Sequence, residues 1–360
     1  MHMADALISP AVGGTMLAVS AGLGAYSAHR IRASGDEKKV PLMGVMGAFV
    51  FAAQMINFSI PGTGSSGHIG GGILLAALLG PYAGFLTIAS VLIVQALFFA
   101  DGGLLALGCN VFNMGFLPCF VAYPLVYNVI AGRAPTRGRL IAGATAGSIV
   151  GLLLGALGVV LETTASGITE LPFATFVLLM LPIHLAIGVA EGLATAAVVL
   201  FVWRARPEVV ESAGAQRPIG PVPLRPLLVG LGVVALATAG MLSWFASTHP
   251  DGLEWSMFRT SGREKLEARQ DGVHASAARV QKTTAVLPDY GFPQKEGVAG
   301  EAPATGPAGA EPWPAVSAGT SAAGIIGAAM TLLLVLLAGL ALRLRARRQT
   351  PPQGDVGGKR

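Results

Sequence analysis

The sequence predicts an all-α integral membrane protein, a seven-helix bundle followed by a two-helix module, with nine crossings in all. Three observations carry that expectation. Apolar residues make up 53% of the 360 and charged residues 12%, about half the charged share of a soluble domain. Mean hydropathy is +0.64. Apolar runs long enough to cross a bilayer, about 20 residues each, recur through the chain. Between them, basic and non-basic connections alternate.

The runs fall near 10–29, 41–59, 82–99, 103–131, 140–161, 172–203, 226–246 and 321–342. A shorter piece, IGGGILLAALLG (69–80), lies between the second and third. Basic residues gather in HRIRASGDEKK (29–39), GRAPTRGR (132–139), WRARPEVVESAGAQRP (203–218) and the tail from 343 to 360. The positive-inside rule assigns this set to the cytoplasm. Loops 29–39 and 132–139 then lie on one side, and the 41–59 helix between them ends outside. An odd number of crossings must follow it. The runs 82–99 and 103–131 supply two, so 69–80 must supply the third, as a short element surrounded by protein. The N-terminus is then external and the C-terminus cytoplasmic.

The expected organisation is a seven-span domain over 1–203, a cytoplasmic linker over 204–225, a two-span domain over 226–342 and a basic tail over 343–360. Residues 247–320 form an external segment rich in Pro, Ala and Gly toward its end, expected to be loosely ordered. The net charge of +5 resides mostly in the short basic loops and reports topology rather than nucleic-acid binding. Cys109 and Cys119 lack CxxC spacing and read as buried packing residues. No phosphate-binding GxxxxGK[ST] loop is present, so any ATP-derived energy must come from partners.

The N-terminus, MHMADALISP, carries the most specific chemistry. A free amine followed by His2 offers three nitrogens in sequence: the α-amine of Met1, the His2 amide once deprotonated, and the His2 imidazole Nδ1. A fourth nitrogen would complete a planar N4 set, the geometry of Ni(II) or Cu(II). His68, in the external loop NFSIPGTGSSGHIGGG, is the candidate. Taken singly, His2 also reads as an accident of an exposed terminus and His68 as a turn residue. Of the other histidines, His29 and His274 sit among charged residues and His249 begins the external segment. Asn57, Gln95, Asn110 and Asn113 lie toward the outer ends of their runs and could carry supporting hydrogen bonds, or serve as interhelical contacts. His184 and Glu191, seven apart on one helix face, count as too deep to reach a metal held by residue 1, so a structural or coupling role is expected.

These residues resemble the CbiM/NikM substrate-binding membrane components of energy-coupling factor (ECF) transporters for cobalt and nickel. The resemblance covers most of the first 203 residues, through MHMADALISP, GSSGHIGGG, QALFFADGGLLALGCNVFNMG and HLAIGVAEGLAT. Residues 226–342 resemble the two-span CbiN/NikN partner, through PDGLEW and PDYGFP. The resemblance implies a fused substrate-binding component that is not an enzyme. It implies Ni²⁺ or Co²⁺ as transported substrate, held by Met1, His2 and His68. It also implies a coupling membrane protein and ABC-type ATPases as partners in a bacterial or archaeal cytoplasmic membrane. The N-terminus reads MHMADALISP where cobalt-type members more often resemble MHIMEGYLP, and SSGHIGGG replaces a CSHPTG-like loop. Both departures lean toward nickel. A metal-sensing receptor and a stand-alone ion-coupled carrier using His184 and Glu191 are the alternative functions.

Overall fold

The computed structural model describes residues 2–36, 38–263, 266–292 and 313–349, with backbone alone over 342–349. Met1, residues 293–312 and most of the basic tail therefore lie outside the described residues. The described chain is mostly helical. The long apolar helices are α1 (Pro10–Ser34), then α4 (Pro81–Phe98), α5 (Leu107–Ala131), α6 (Arg137–Ser166), α7 (Phe173–Ala205) and α12 (Ala318–Gln349). All six are long and apolar enough to cross a membrane. Two shorter apolar helices, α2 (Lys39–Gln54) and α9 (Arg225–Gly240), join them. The remaining elements are α3 (Gly72–Leu79), α8 (Pro207–Gly214), α10 (Gly252–Ser261), α11 (Gly272–Thr284) and a two-stranded hairpin, β1 (Phe58–Ile60) and β2 (Ser65–Gly67).

Local chemistry sets the helix ends. Ser9 caps α1, accepting from the Val12 amide, and Pro10 opens the first turn. Gly35 ends the helix in the left-handed conformation. Within α5, Pro118 and Pro124 lack the amide hydrogens that a regular ladder needs, and Phe112–Tyr127 widens to π-helical turns.

Small residues then let the helices approach. Along α6, Gly143, Gly147 and Gly151 repeat every four residues and face Tyr127 and Pro118 of α5. On its other flank, Gly188 and Gly192 of α7 meet the α-carbons of Ile149 and Thr145. A methyl group there would approach to 2.8 and 2.5 Å. In the C-terminal half, α12 packs along α2, with Gly327 against Phe51 and Gly339 against Val40. α9 packs on both helices.

The short apolar piece 69–80 carries α3, and the hairpin lies just before it. All eight residues of α3 are buried, which suits a helix too short to span on its own. The hairpin pairs Phe58 with Gly67 and Ile60 with Ser65, turning through Gly62 and Gly64 at positive φ. Gly67 and Gly72 have no room for a side chain: a methyl would come within 2.5 Å of Ile187 and 2.6 Å of Pro118. The loop is thus folded into the bundle rather than over it. α2 ends at Gln54, so Asn57 lies three residues beyond that helix.

Residues 247–263 and 266–292 depart from the expectation of loose order. Asp251 opens α10 with a capping box, accepting from the Leu253 and Glu254 amides while Glu254 accepts from the Asp251 amide. Leu253 and Met257 are buried. The composition that suggested disorder is concentrated in 293–312, outside the described residues.

Candidate functional site

The N-terminal segment 2–9 is threaded into the bundle and held on both sides. Asn110 of α5 accepts from the Met3 amide at 2.8 Å and donates to the Met3 carbonyl at 3.2 Å. The Gly103 amide donates to the same carbonyl at 2.9 Å. Asp5 accepts from the Leu105 and Ala106 amides at 2.8 and 3.0 Å. His274 of α11, buried despite its charged neighbours in sequence, hydrogen-bonds the Ile8 carbonyl at 2.9 Å.

This threading brings two distant imidazoles together. The His2 and His68 ring centroids lie 5.1 Å apart with planes 10° from parallel. His68 uses Nδ1 on the Ile69 carbonyl at 3.1 Å. His2 Nδ1 lies 3.2 Å from Asp101 Oδ1, and its buried Nε2 has no hydrogen-bond partner among the described residues. Burial, the largest influence on each, holds both rings below the ordinary imidazole value, His68 at about 3. Both are therefore neutral at physiological pH, with ring lone pairs able to bind a cation. Among the described residues, no group of three or more His, Cys, Asp and Glu side chains is arranged to hold a metal.

The expected supporting residues divide. Asn110 clamps Met3, as above. Asn113 donates to Glu162 at 2.7 Å and also contacts the Met3 sulfur at 3.8 Å. Gln95 donates to Gln54 at 2.9 Å, and Gln54 donates to the Gly70 carbonyl at 2.9 Å, in the His68 loop. Asn57 accepts from the Ser247 amide through its backbone carbonyl.

Glu191 and His184 are nearer than depth along their helix suggested, because the loop descends to meet them. Glu191 accepts from the Gly70 and Gly71 amides at 2.7 and 3.1 Å, gripping the chain two residues past His68. His184 fixes its Nδ1 on the Met180 carbonyl at 2.8 Å. It shares with His68, Gly70 and Asp251 the wall of a cavity of about 10 Å³, room for a single water. The cysteines are buried and free.

Sequence reasoning missed three carboxylates and a tyrosine. Asp5 and Asp101 hold or face the N-terminal segment. Asp251 and Tyr290 come from the C-terminal half. The Ser66 amide donates to the Pro250 carbonyl at 2.8 Å, and Trp255 donates to the Thr63 carbonyl at 3.0 Å, so PDGLEW docks on the hairpin that carries His68. Tyr290, of PDYGFP, donates to Asp101 Oδ2. The available signals were PDGLEW and PDYGFP themselves, acidic turns in a segment otherwise poor in apolar residues.

The structure is that of a multi-pass helical membrane protein whose segment 2–9 packs beside a glycine loop, and its family and relatives make it a transport component rather than an enzyme. The chain belongs to the family described as the cobalt uptake substrate-specific transmembrane region, whose model matches residues 2–209, and it carries a PDGLE domain over 225–344. A chain of Archaeoglobus fulgidus, provisionally named a fused nickel transport protein, NikMN, is 39% identical over 219 residues. That covers 60% of this chain and 70% of the relative. The fused nickel transport protein NikMN of Rhodobacter capsulatus is 30% identical over 315 residues, 81% of this chain and 88% of the relative. The crystal structure of a truncated transition metal transporter matches with a TM-score of 0.51 at 30% identity. It covers 57% of this chain and 99% of that one.

Proposed function

We propose that this protein is the substrate-binding membrane component of an ECF-type transporter taking up a divalent transition metal, Ni²⁺ in preference to Co²⁺. The ion is the transported substrate. Its ligands are the Met1 amine, the His2 amide and imidazole, and the His68 imidazole. Met1 lies outside the described residues, so the reading rests on the rest of the set. The observation that carries it is the meeting of the His2 and His68 side chains, buried and nearly parallel at 5.1 Å although 66 positions separate them.

The chemistry follows from the donors. Amide deprotonation favours strongly polarising ions that accept a planar N4 set, which is the geometric preference of Ni(II). Because two of the four donors belong to the main chain, the site needs no cluster of acidic or thiol side chains. Capture replaces the water shell of the ion and fixes the N-terminal segment against α5 and the His68 loop.

The N-terminus is external and the C-terminus cytoplasmic, in a bacterial or archaeal cytoplasmic membrane crossed nine times. The apolar helices α1 to α7 and then α9 and α12 are the elements that support that count. Residues 1–203 form the metal-binding domain and 226–342 the accessory one, joined by the linker 204–225. A coupling membrane protein and ABC-type ATPases supply the energy. Glu191, bonded to Gly70 and Gly71, is placed to pass movement of α7 to the His68 loop, which supports a coupling role over a proton relay.

Ni²⁺ titration of the purified wild type, His2→Ala and His68→Ala tests the reading. One ion per chain for the wild type, with affinity lost in either variant, is expected. Wild-type affinity in both variants would overturn it.

A further inference from the structure

Away from the histidines, the basic connection 29–39 borders a second cavity, of about 350 Å³. That lies within the usual range of small-ligand sites, about 300–1,000 Å³. The end of α1, the start of α2, the turn from α3 into α4 and Gln216 beyond α8 meet around it. Arg30 and Lys39 line it, and among the described residues no carboxylate does.

Both cations are short of partners. Lys39 is 9% exposed, and its ammonium has only Asp36 Oδ2, at 4.0 Å, beyond hydrogen-bond reach. That carboxylate already accepts from the Lys38 and Ile219 amides. A buried ammonium with unmet donors is costly, and an anion in the cavity would meet that need. Arg30 pairs with no carboxylate among the described residues, and its guanidinium lies 5.0 Å from the centroid of the Tyr82 ring. The head of α4 adds to the positive potential. No side chain caps that helix, and Tyr82 and Ala83, which carry first-turn amides, line the cavity.

The surroundings specify the kind of anion. Tyr26 stands edge-on to Tyr82 with centroids 5.7 Å apart, and tyrosines gather where a membrane meets water. Val19, Tyr26 and Arg30 are seven and four residues apart and so share one face of α1. Val19 and Tyr26 are exposed, and only four of the 25 residues of α1 are buried. An exposed apolar face thus runs along the helix to a basic cavity, which suits a molecule with acyl chains and an anionic headgroup.

We propose that this cavity binds the phosphate of an anionic phospholipid. Arg30 and Lys39 supply the positive charge, the α4 amides supply donors, and the acyl chains lie along the Val19 and Tyr26 face of α1.

The full-length protein, stripped of lipid in detergent, is titrated with dioleoyl phosphatidylglycerol, dioleoyl phosphatidylcholine or inorganic phosphate. Native mass spectrometry counts bound lipid, and the shift in unfolding temperature gives each affinity. The wild type should take one phosphatidylglycerol, with phosphatidylcholine and inorganic phosphate binding far more weakly. Arg30→Gln and Lys39→Gln should each lower that affinity about fivefold, the scale of one cation beside an anionic headgroup. Arg133→Gln, in another basic connection outside the cavity, should leave it unchanged. Circular dichroism before lipid is added checks the fold of each variant. Arg30 is exposed, so Arg30→Gln decides the matter if Lys39→Gln unfolds. Equal binding of the two lipids, wild-type affinity in Arg30→Gln, or an equal loss in Arg133→Gln would overturn the proposal. Inorganic phosphate binding as tightly as phosphatidylglycerol would also overturn it, leaving a site for a free anion.

Discussion

Asn110→Ala should release the N-terminal segment. The side chain is almost wholly buried and makes two bonds to Met3, accepting at 2.8 Å and donating at 3.2 Å. Alanine removes both. The Met3 carbonyl keeps the Gly103 amide at 2.9 Å, but the Met3 amide loses its acceptor in a site closed to water. Leaving a buried donor unpaired costs about 1–3 kcal/mol. Taking about 2 kcal/mol, the equilibrium between docked and released segment shifts about thirtyfold. Amide hydrogen exchange over residues 2–9, followed by mass spectrometry, reads that shift directly, and Ni²⁺ affinity should fall in parallel. Asn110→Asp, which retains an acceptor and loses the donor, should fall between wild type and alanine. Exchange unchanged in Asn110→Ala would refute the idea that this residue clamps the segment.

Other consequences follow from the same geometry. In Gly103→Ala the new methyl would sit 1.8 Å from Asp5 Oδ1, so Asp5 must leave the Leu105 and Ala106 amides; a loss of about 1–3 kcal/mol should appear as faster proteolysis near the N-terminus. Glu191→Ala strands the Gly70 and Gly71 amides and should loosen the His68 loop and lower Ni²⁺ affinity, whereas Glu191→Gln keeps one acceptor and should lose less. Docking of the segment should weaken as pH falls. Both imidazoles are held by burial below the 6.5 of the released chain, His68 at about 3. Between those values the released state takes up protons that the docked state excludes, so stability rises with pH across that window. Exchange at residues 2–9 measured against pH should show this slope, and His68→Ala should reduce it.

How much of this was legible in the sequence depends on the range of the interaction. The long helices follow from apolar runs, and the burial of α3 from its shortness. The candidate donors were readable because a chelate formed by residues 1 and 2 is local chemistry. Asn110 and Gln95 could be found as polar residues near one end of apolar runs, but nothing in their spacing says that one clamps Met3 and the other faces Tyr290. Asp101 and Tyr290 are 189 positions apart, and Ser66 and Pro250 are 184 apart; only the packing of the C-terminal half onto the hairpin joins them. Composition also misled where a segment is uneven. The Pro- and Ala-rich stretch after 293 masked a well-capped α10 and an α11 whose His274 anchors Ile8. The depth of His184 and Glu191 was measured along one helix, which says nothing about a loop that folds inward to reach them.

The central claim is that the first two residues supply three of the four metal donors. Inserting one residue after Met1 tests it most directly, because the amine and the imidazole then no longer flank a single amide. Ni²⁺ stoichiometry, affinity and the visible band of the bound ion are compared with the uninserted protein. Loss of the planar band and of high-affinity binding is the predicted result. One tightly bound ion with an unchanged band would contradict the account.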